Sequence, residues 1–207
     1  MAKMRRLISV AAGGCLLAGL SGCATTAANI DSAAELARES GHESGRESGN
    51  PAATVVFGRF ELLRNGHDVA FGDGIFASSA TLNLAAAGDA QPIVGRIGRD
   101  GEFAWALEPG TYRVTSIGFR YQGRKIQPPT GFTFTVAQGY RASYVGTITL
   151  EASFDRGLLG TRAQVDRYTV SDDCAAECDD RLSRLGLEAD QSTRALFSWE
   201  RSLAAAE

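Results

Sequence analysis

The sequence predicts a mainly β fold, an antiparallel sandwich carrying one or two short C-terminal helices. Three observations carry that expectation. From Thr54 to Val170 apolar and polar residues alternate in short runs, the period at which one face of a strand is buried. The runs are separated by Asn65-Gly66, Asp100-Gly101 and Pro109-Gly110, dipeptides that turn a chain sharply. Apolar residues at helical spacing dominate only after Ser171.

The strands follow in order. Thr54–Leu63 is rich in Val and Phe and ends at Asn65-Gly66, which predicts a hairpin. In Ile75–Leu84, Phe76, Ser78, Ala80, Leu82 and Leu84 share a face. Ile93–Arg99 leads into Asp100-Gly101, and Glu102–Leu107 then sets Phe103, Trp105 and Leu107 on one side. Pro109-Gly110 suits a type II turn, with Pro fixing the first central φ and Gly accepting a positive second one. Thr111–Tyr121 alternates again. Beyond Pro128-Pro129, Phe132, Phe134 and Val136 line one face. In Ser143–Leu150, Tyr144, Gly146, Ile148 and Leu150 are expected on one side, with Val145, Thr147 and Thr149 on the other. Arg162–Val170 is an expected edge strand. Regular strands with turns between them define a sandwich or barrel.

The N-terminus is of a different kind. Lys3, Arg5 and Arg6 precede an uncharged run of 14 residues, Leu7–Leu20. A bilayer core needs about 20 apolar residues in helical form, so this run reads as an export signal rather than a span. It ends in Leu20-Ser21-Gly22-Cys23. That motif resembles the lipobox of bacterial lipoproteins, in which the Cys thiol receives diacylglycerol and becomes the mature N-terminus. Cys15, in Ala12-Gly13-Gly14-Cys15, lacks the aliphatic residue three positions earlier. The resemblance therefore assigns lipid attachment to Cys23, and it implies a membrane partner reached through two or three acyl chains. Two chains suffice for durable anchoring, at about 0.8 kcal/mol per buried CH₂. In such proteins Asp after the Cys commonly retains the chain at the inner membrane. Ala24 stands there, so the resemblance implies the periplasm-facing side of the outer membrane.

Residues 23–53 read as a flexible acylated tether, in which a short helix over Ala33–Arg38 would be marginal alone. Residues 38–49 repeat Arg-Glu-Ser-Gly, His-Glu-Ser-Gly and Arg-Glu-Ser-Gly without an apolar member, so they cannot offset their ordering entropy. A flexible coil of about 30 residues spans roughly 30 Å. The expected organisation is thus a signal over 1–22, the tether over 23–53, a sandwich over 54–170 and a helical extension over 171–207.

Within the sandwich, the stretch from Gly101 to Val114, including Trp105, Pro109, Gly110 and Tyr112, resembles the strand–Pro-Gly–strand signature of prealbumin-like and carboxypeptidase-regulatory-like domains. Tyr144-Val-Gly-Thr-Ile-Thr-Leu150 resembles a strand of envelope lipoproteins with such domains. The resemblance speaks to fold and implies no catalytic residue.

After Ser171, read as a helix N-cap, Cys174, Cys178, Leu182 and Leu185 form one stripe, and Gly186 is the expected helix stop. The two cysteines are open to several readings: apolar packing, a disulfide favoured by an oxidising compartment, a metal site with the nearby carboxylates, or a redox pair. Their acidic neighbours would raise thiol pKa values, which disfavours redox catalysis. Ser192–Ala205 is a second helical candidate with Leu196, Trp199 and Leu203 on one face.

Removing the signal leaves 18 basic and 24 acidic residues. An acidic surface repels phosphate backbones, which argues against nucleic acid as a partner. Two histidines, His42 in the tether and His67 in a turn, offer little for acid–base chemistry. No cofactor motif is present. The expected function is therefore a non-catalytic, membrane-anchored interaction or structural domain with an envelope protein as partner. The alternatives are a thiol–disulfide protein using Cys174 and Cys178, or a glycan- or solute-binding module stacking its ligand on Tyr121, Tyr140 or Tyr144.

Overall fold

The computed structural model describes residues 24–36, 53–69, 80–88, 91–121, 124–157 and 160–199. Strands dominate. They are β1 (Thr25–Ala27), β2 (Thr54–Arg64), β3 (His67–Asp68), β4 (Thr81–Ala86), β5 (Pro92–Arg96), β6 (Glu102–Leu107), β7 (Gly110–Tyr121), β8 (Arg124–Ile126), β9 (Pro129–Val136), β10 (Ala142–Gly157), β11 (Gly160–Ser171), β12 (Ser192–Arg194) and β13 (Ser198–Trp199). One helix, α1 (Cys174–Arg184), follows β11, and a 3₁₀ turn at Ala189–Gln191 precedes β12.

The strands form two sheets. Sheet I runs β1-β5-β4-β7-β9-β13, with β8 hairpinned onto β7. In sheet II, β2 lies between β10 on one side and β6 and β3 on the other, and β10 carries β11 and β12 on its far side. The pairing is mostly antiparallel. Three contacts are parallel: β1 with β5, β2 with β10, and β10 with β12. These join segments distant in sequence or separated by α1, where no hairpin fixes strand direction.

One core fills the space between the sheets. Val56, Phe60, Leu62, Phe103, Trp105, Val145, Ile148 and Leu150 from sheet II meet Leu82, Leu84, Val114, Ile117, Phe132 and Phe134 from sheet I. The expected faces of β4, β6 and β9 are the ones buried. Gly95 on β5 makes room for the indole of Trp105, whose Nε1 donates to the Arg96 carbonyl at 2.7 Å. The Asn65-Gly66 hairpin forms as expected, both residues at positive φ (50° and 80°).

Two local expectations change. Tyr144 does not share a face with Ile148 and Leu150. The β2–β10 register slips between Tyr144 and Thr147, and Gly146 sits in the slip at φ 96°. An inserted residue inverts which side chains point inward, so Val145 enters the core while Tyr144 turns outward beneath α1. Pro109-Gly110 is not a type II hairpin, because Gly110 is not among the positive-φ glycines. The segment instead carries the chain from β6 in sheet II to β7 in sheet I.

A second apolar cluster lies on the outer face of sheet II. Cys178, Leu182 and Leu185 of α1 cover Val55, Phe57, Ala104, Ala142 and Tyr144. The stripe expected on this helix is the face that packs. Its start differs: Ser171 ends β11, Asp173 is the N-cap without a side-chain cap bond, and Cys174 N–H donates to the Asp172 carboxylate at 3.3 Å. Gly186 closes the helix at φ 67°, and Leu187 N–H returns to the Leu182 carbonyl.

The expected helix over Ser192–Ala205 is replaced, over its described part, by an extended strap. β12 pairs with β10 of sheet II, and β13 pairs with β9 of sheet I. Between them Ala195 and Phe197 donate backbone bonds to the Tyr144 and Val145 carbonyls, and the Phe197 ring is buried among Phe103, Phe132 and Phe134. Backbone pairing with two sheet edges and burial of one aromatic outweigh the weak helical preference of a short segment.

Candidate functional site

Residues 24–36, expected within the flexible tether, are packed on the sandwich. β1 lies against β5 in sheet I, with Thr25 opposite Ile93. The chain then crosses to sheet II. Ile30 N–H donates to the Ala104 carbonyl at 2.9 Å, and Ala104 N–H donates to the Asn29 side chain at 2.6 Å. Ile30 is only 2% exposed, inside the cluster under α1. Burying such a side chain contributes about 2 kcal/mol. A helical turn at 33–36 follows, in which the Ser32 hydroxyl accepts from Glu35 N–H and the Glu35 carboxylate accepts from Asp31 N–H. Apolar Ile30 and Leu36 supply the contacts by which this segment packs on the cluster under α1.

Arg181 locks this clasp. Its guanidinium is buried, donates to Glu102 of β6 at 2.5 Å and to the Ile30 carbonyl at 3.4 Å, and faces Asp31 at 3.7 Å. Arg184 shares Glu102 at 2.9 Å. Burial opposes the charge on Arg184, but Glu102, Asp180 and Asp100 together raise its pKa further above the ordinary guanidinium value. One guanidinium, that of Arg181 on α1, thus ties β6 and the N-terminal segment to the helix. The pairing signal was absent from local sequence, since Arg181 and Glu102 are 79 positions apart.

The two remaining cysteines are brought together. The structure joins Cys174 and Cys178 in a disulfide with Cα atoms 4.8 Å apart. An ideal helix puts residues four apart at about 6 Å, so the first turn of α1 is drawn in. Beside this disulfide lies a cleft of about 390 Å³, bordered by Tyr144, Asp179, Ser192, Thr193 and Arg194. Arg194 is held there by Asp172 at 3.0 Å.

The tyrosines expected to stack a ligand do not gather. Tyr144 is buried against Phe57 and its hydroxyl accepts from Asp173 N–H at 3.2 Å. Tyr140 is exposed in the turn before β10, and the Tyr121 side chain lies outside the described residues. A different pair is adjacent. Tyr168 of β11 and Trp199 of β13 have ring centroids 5.8 Å apart over Phe132, and Trp199 is 52% exposed. Their partnership depends on the strap crossing between sheets, which no local pattern announces.

His67 is exposed in β3. Among the described residues no three His, Cys, Asp or Glu side chains gather to hold a metal ion, and no helix is long and apolar enough to cross a membrane. The signal segment 1–22, Cys23, His42 and the repeat at 38–49 lie outside the described residues. The chain matches no protein-family model, and no curated protein or solved structure is significantly similar to it.

Proposed function

We propose that this chain is a lipid-anchored protein of the bacterial cell envelope, acylated on Cys23, whose β domain works by contact with an envelope partner rather than by catalysis. The observation that carries the proposal is Leu20-Ser21-Gly22-Cys23 at the end of a short apolar run behind Lys3, Arg5 and Arg6. Hydrocarbon burial by two or more acyl chains then fixes the address. The Cys174–Cys178 bond supports export, because such bonds persist in oxidising compartments. Ala24 favours the outer membrane over the inner one.

The test is direct. Intact mass of the membrane-extracted protein is expected to show a mature chain starting at residue 23 with diacylglycerol on its sulfur. The Cys23→Ala variant is expected to lack the diacylglycerol mass and to keep its signal segment. An unmodified Cys23, or a Cys23→Ala variant that still carries the lipid mass, overturns the assignment.

One observation favours a second reading, a glycan-binding module: the exposed Trp199 ring beside Tyr168 offers a flat face for a sugar ring. Titrating peptidoglycan fragments against Trp fluorescence distinguishes the two readings, because a contact domain shows no saturable change that Trp199→Ala abolishes.

A further inference from the structure

Acylation of Cys23 sets more than location. We infer that the N-terminal clasp holds one defined end of the sandwich against the bilayer, so that the lipid surface itself is this end's partner. The inference rests on the lipoprotein reading of Cys23 and adds orientation to it.

Strand directions identify the end. β1 runs parallel to β5 and starts opposite Ile93. Pro92 faces Ala85, Ala86 faces Tyr112, and Gly110 faces Val136. In sheet II, Thr54 faces Leu107 and Val55 faces Ala142. The start of β1, the Ala87-Gly88 turn, the Glu108-Pro109 crossover and the Gln138–Arg141 turn are therefore all at one end of the sandwich. The Asn65-Gly66 hairpin and the β7–β8 hairpin are at the other.

Cys23 is two residues from Thr25, and two extended residues reach at most about 7 Å. An acylated sulfur must lie at the membrane interface, so Thr25 and the turns beside it lie within one or two residue lengths of the headgroups. A free tether of about 30 residues would instead allow an excursion of roughly 30 Å and all orientations. The clasp removes that freedom. β1 is paired to β5, Ile30 is buried under α1, and Arg181 grips the Ile30 carbonyl. The hairpin end is left pointing away from the bilayer, where a periplasmic partner can reach it.

The experiment uses the full acylated chain in vesicles of phosphatidylethanolamine and phosphatidylglycerol, with a fluorophore on one introduced thiol. Gln138→Cys reports the near end and Lys125→Cys the far end; both positions are exposed, and Cys174 and Cys178 are bonded to each other. Nitroxide-headgroup lipid is expected to quench the label at position 138 several-fold more than at 125. Equal quenching, or a stronger effect at 125, with lipid on Cys23 by intact mass, overturns the orientation and leaves the anchor standing. A chain that carries no lipid on Cys23 by the same mass measurement overturns both.

Discussion

At position 95 a single missing methyl decides whether Trp105 fits. A Cβ on Gly95 would lie 2.6 to 2.9 Å from three atoms of the indole ring, which is fully buried and pinned by its bond to the Arg96 carbonyl. Neither ring nor strand can yield without breaking that bond or the β4–β5 ladder. Gly95→Ala is expected to cost about 2–3 kcal/mol by overpacking, measured by urea denaturation. The emission of Trp105 should move toward that of a solvated indole if the ring is displaced. Unchanged stability would show that the indole of Trp105 does not depend on the missing Cβ at position 95. The local sequence contained Trp105 as a core residue by its alternation with Phe103 and Leu107, but not the glycine opposite it. Gly95 and Trp105 belong to different sheets, and only the packing of sheet on sheet brings them together.

At the scale of elements, α1 shows how far local pattern reaches. The spacing of Cys174, Cys178, Leu182 and Leu185 exposed the buried stripe, and Gly186 marked the stop. Whether the cysteines bond depends on how tightly the first turn is drawn, which spacing leaves open. The disulfide closes a very short loop, so its entropic contribution is small, on the order of 2 kcal/mol. Replacing both cysteines by Ser is expected to lower stability by about that amount, plus the cost of a polar hydroxyl at buried position 178. Comparing the oxidised, reduced and double-serine proteins by chemical denaturation separates the two terms. A reduced protein as stable as the oxidised one would make the bond ornamental to the fold. The strap at 192–199 marks the opposite case. Helical spacing sets Leu196 and Trp199 on one face, yet Phe197, outside that set, is the residue the core takes. Two unpaired sheet edges made an extended path cheaper than a helix.

At the scale of the whole described structure, the two sheets are joined at their sides by residues 24–36 and 192–199. The N-terminal clasp spans β5 and β6, and the C-terminal strap spans β9 and β10. Tyr168 bridges the second seam, donating from β11 to the Pro129 carbonyl on β9 at 3.2 Å. Burial pushes its phenol from the ordinary 10.0 up to about 12. The neutral form is the one the fold favours, so the sign is fixed. The contribution is complete below pH 10, where the unfolded chain also keeps its proton, and is lost as pH rises through about 12. Thermal midpoints are expected to fall across that interval, and more shallowly in Tyr168→Phe. Parallel slopes in the two proteins would remove Tyr168 from the account. Burial also raises the Tyr112 phenol, assisted by the Glu108 carboxylate, so the wild-type decline is not expected to vanish in the variant.

By itself the sequence determined what depends on neighbours along the chain: β periodicity, the Asn65-Gly66 hairpin, and the stripe and stop of α1. Side-chain period and turn chemistry are local, so they are written locally. Tertiary structure alone decided the bulge at Gly146, the exchange of a helix for a strap, the Tyr168–Trp199 pair and the docking of residues 24–36. Each depends on a surface assembled from distant strands. A segment such as Ala24–Leu36 has too few apolar groups to order itself, and acquires a structure only when β5, β6 and α1 are already there to receive it.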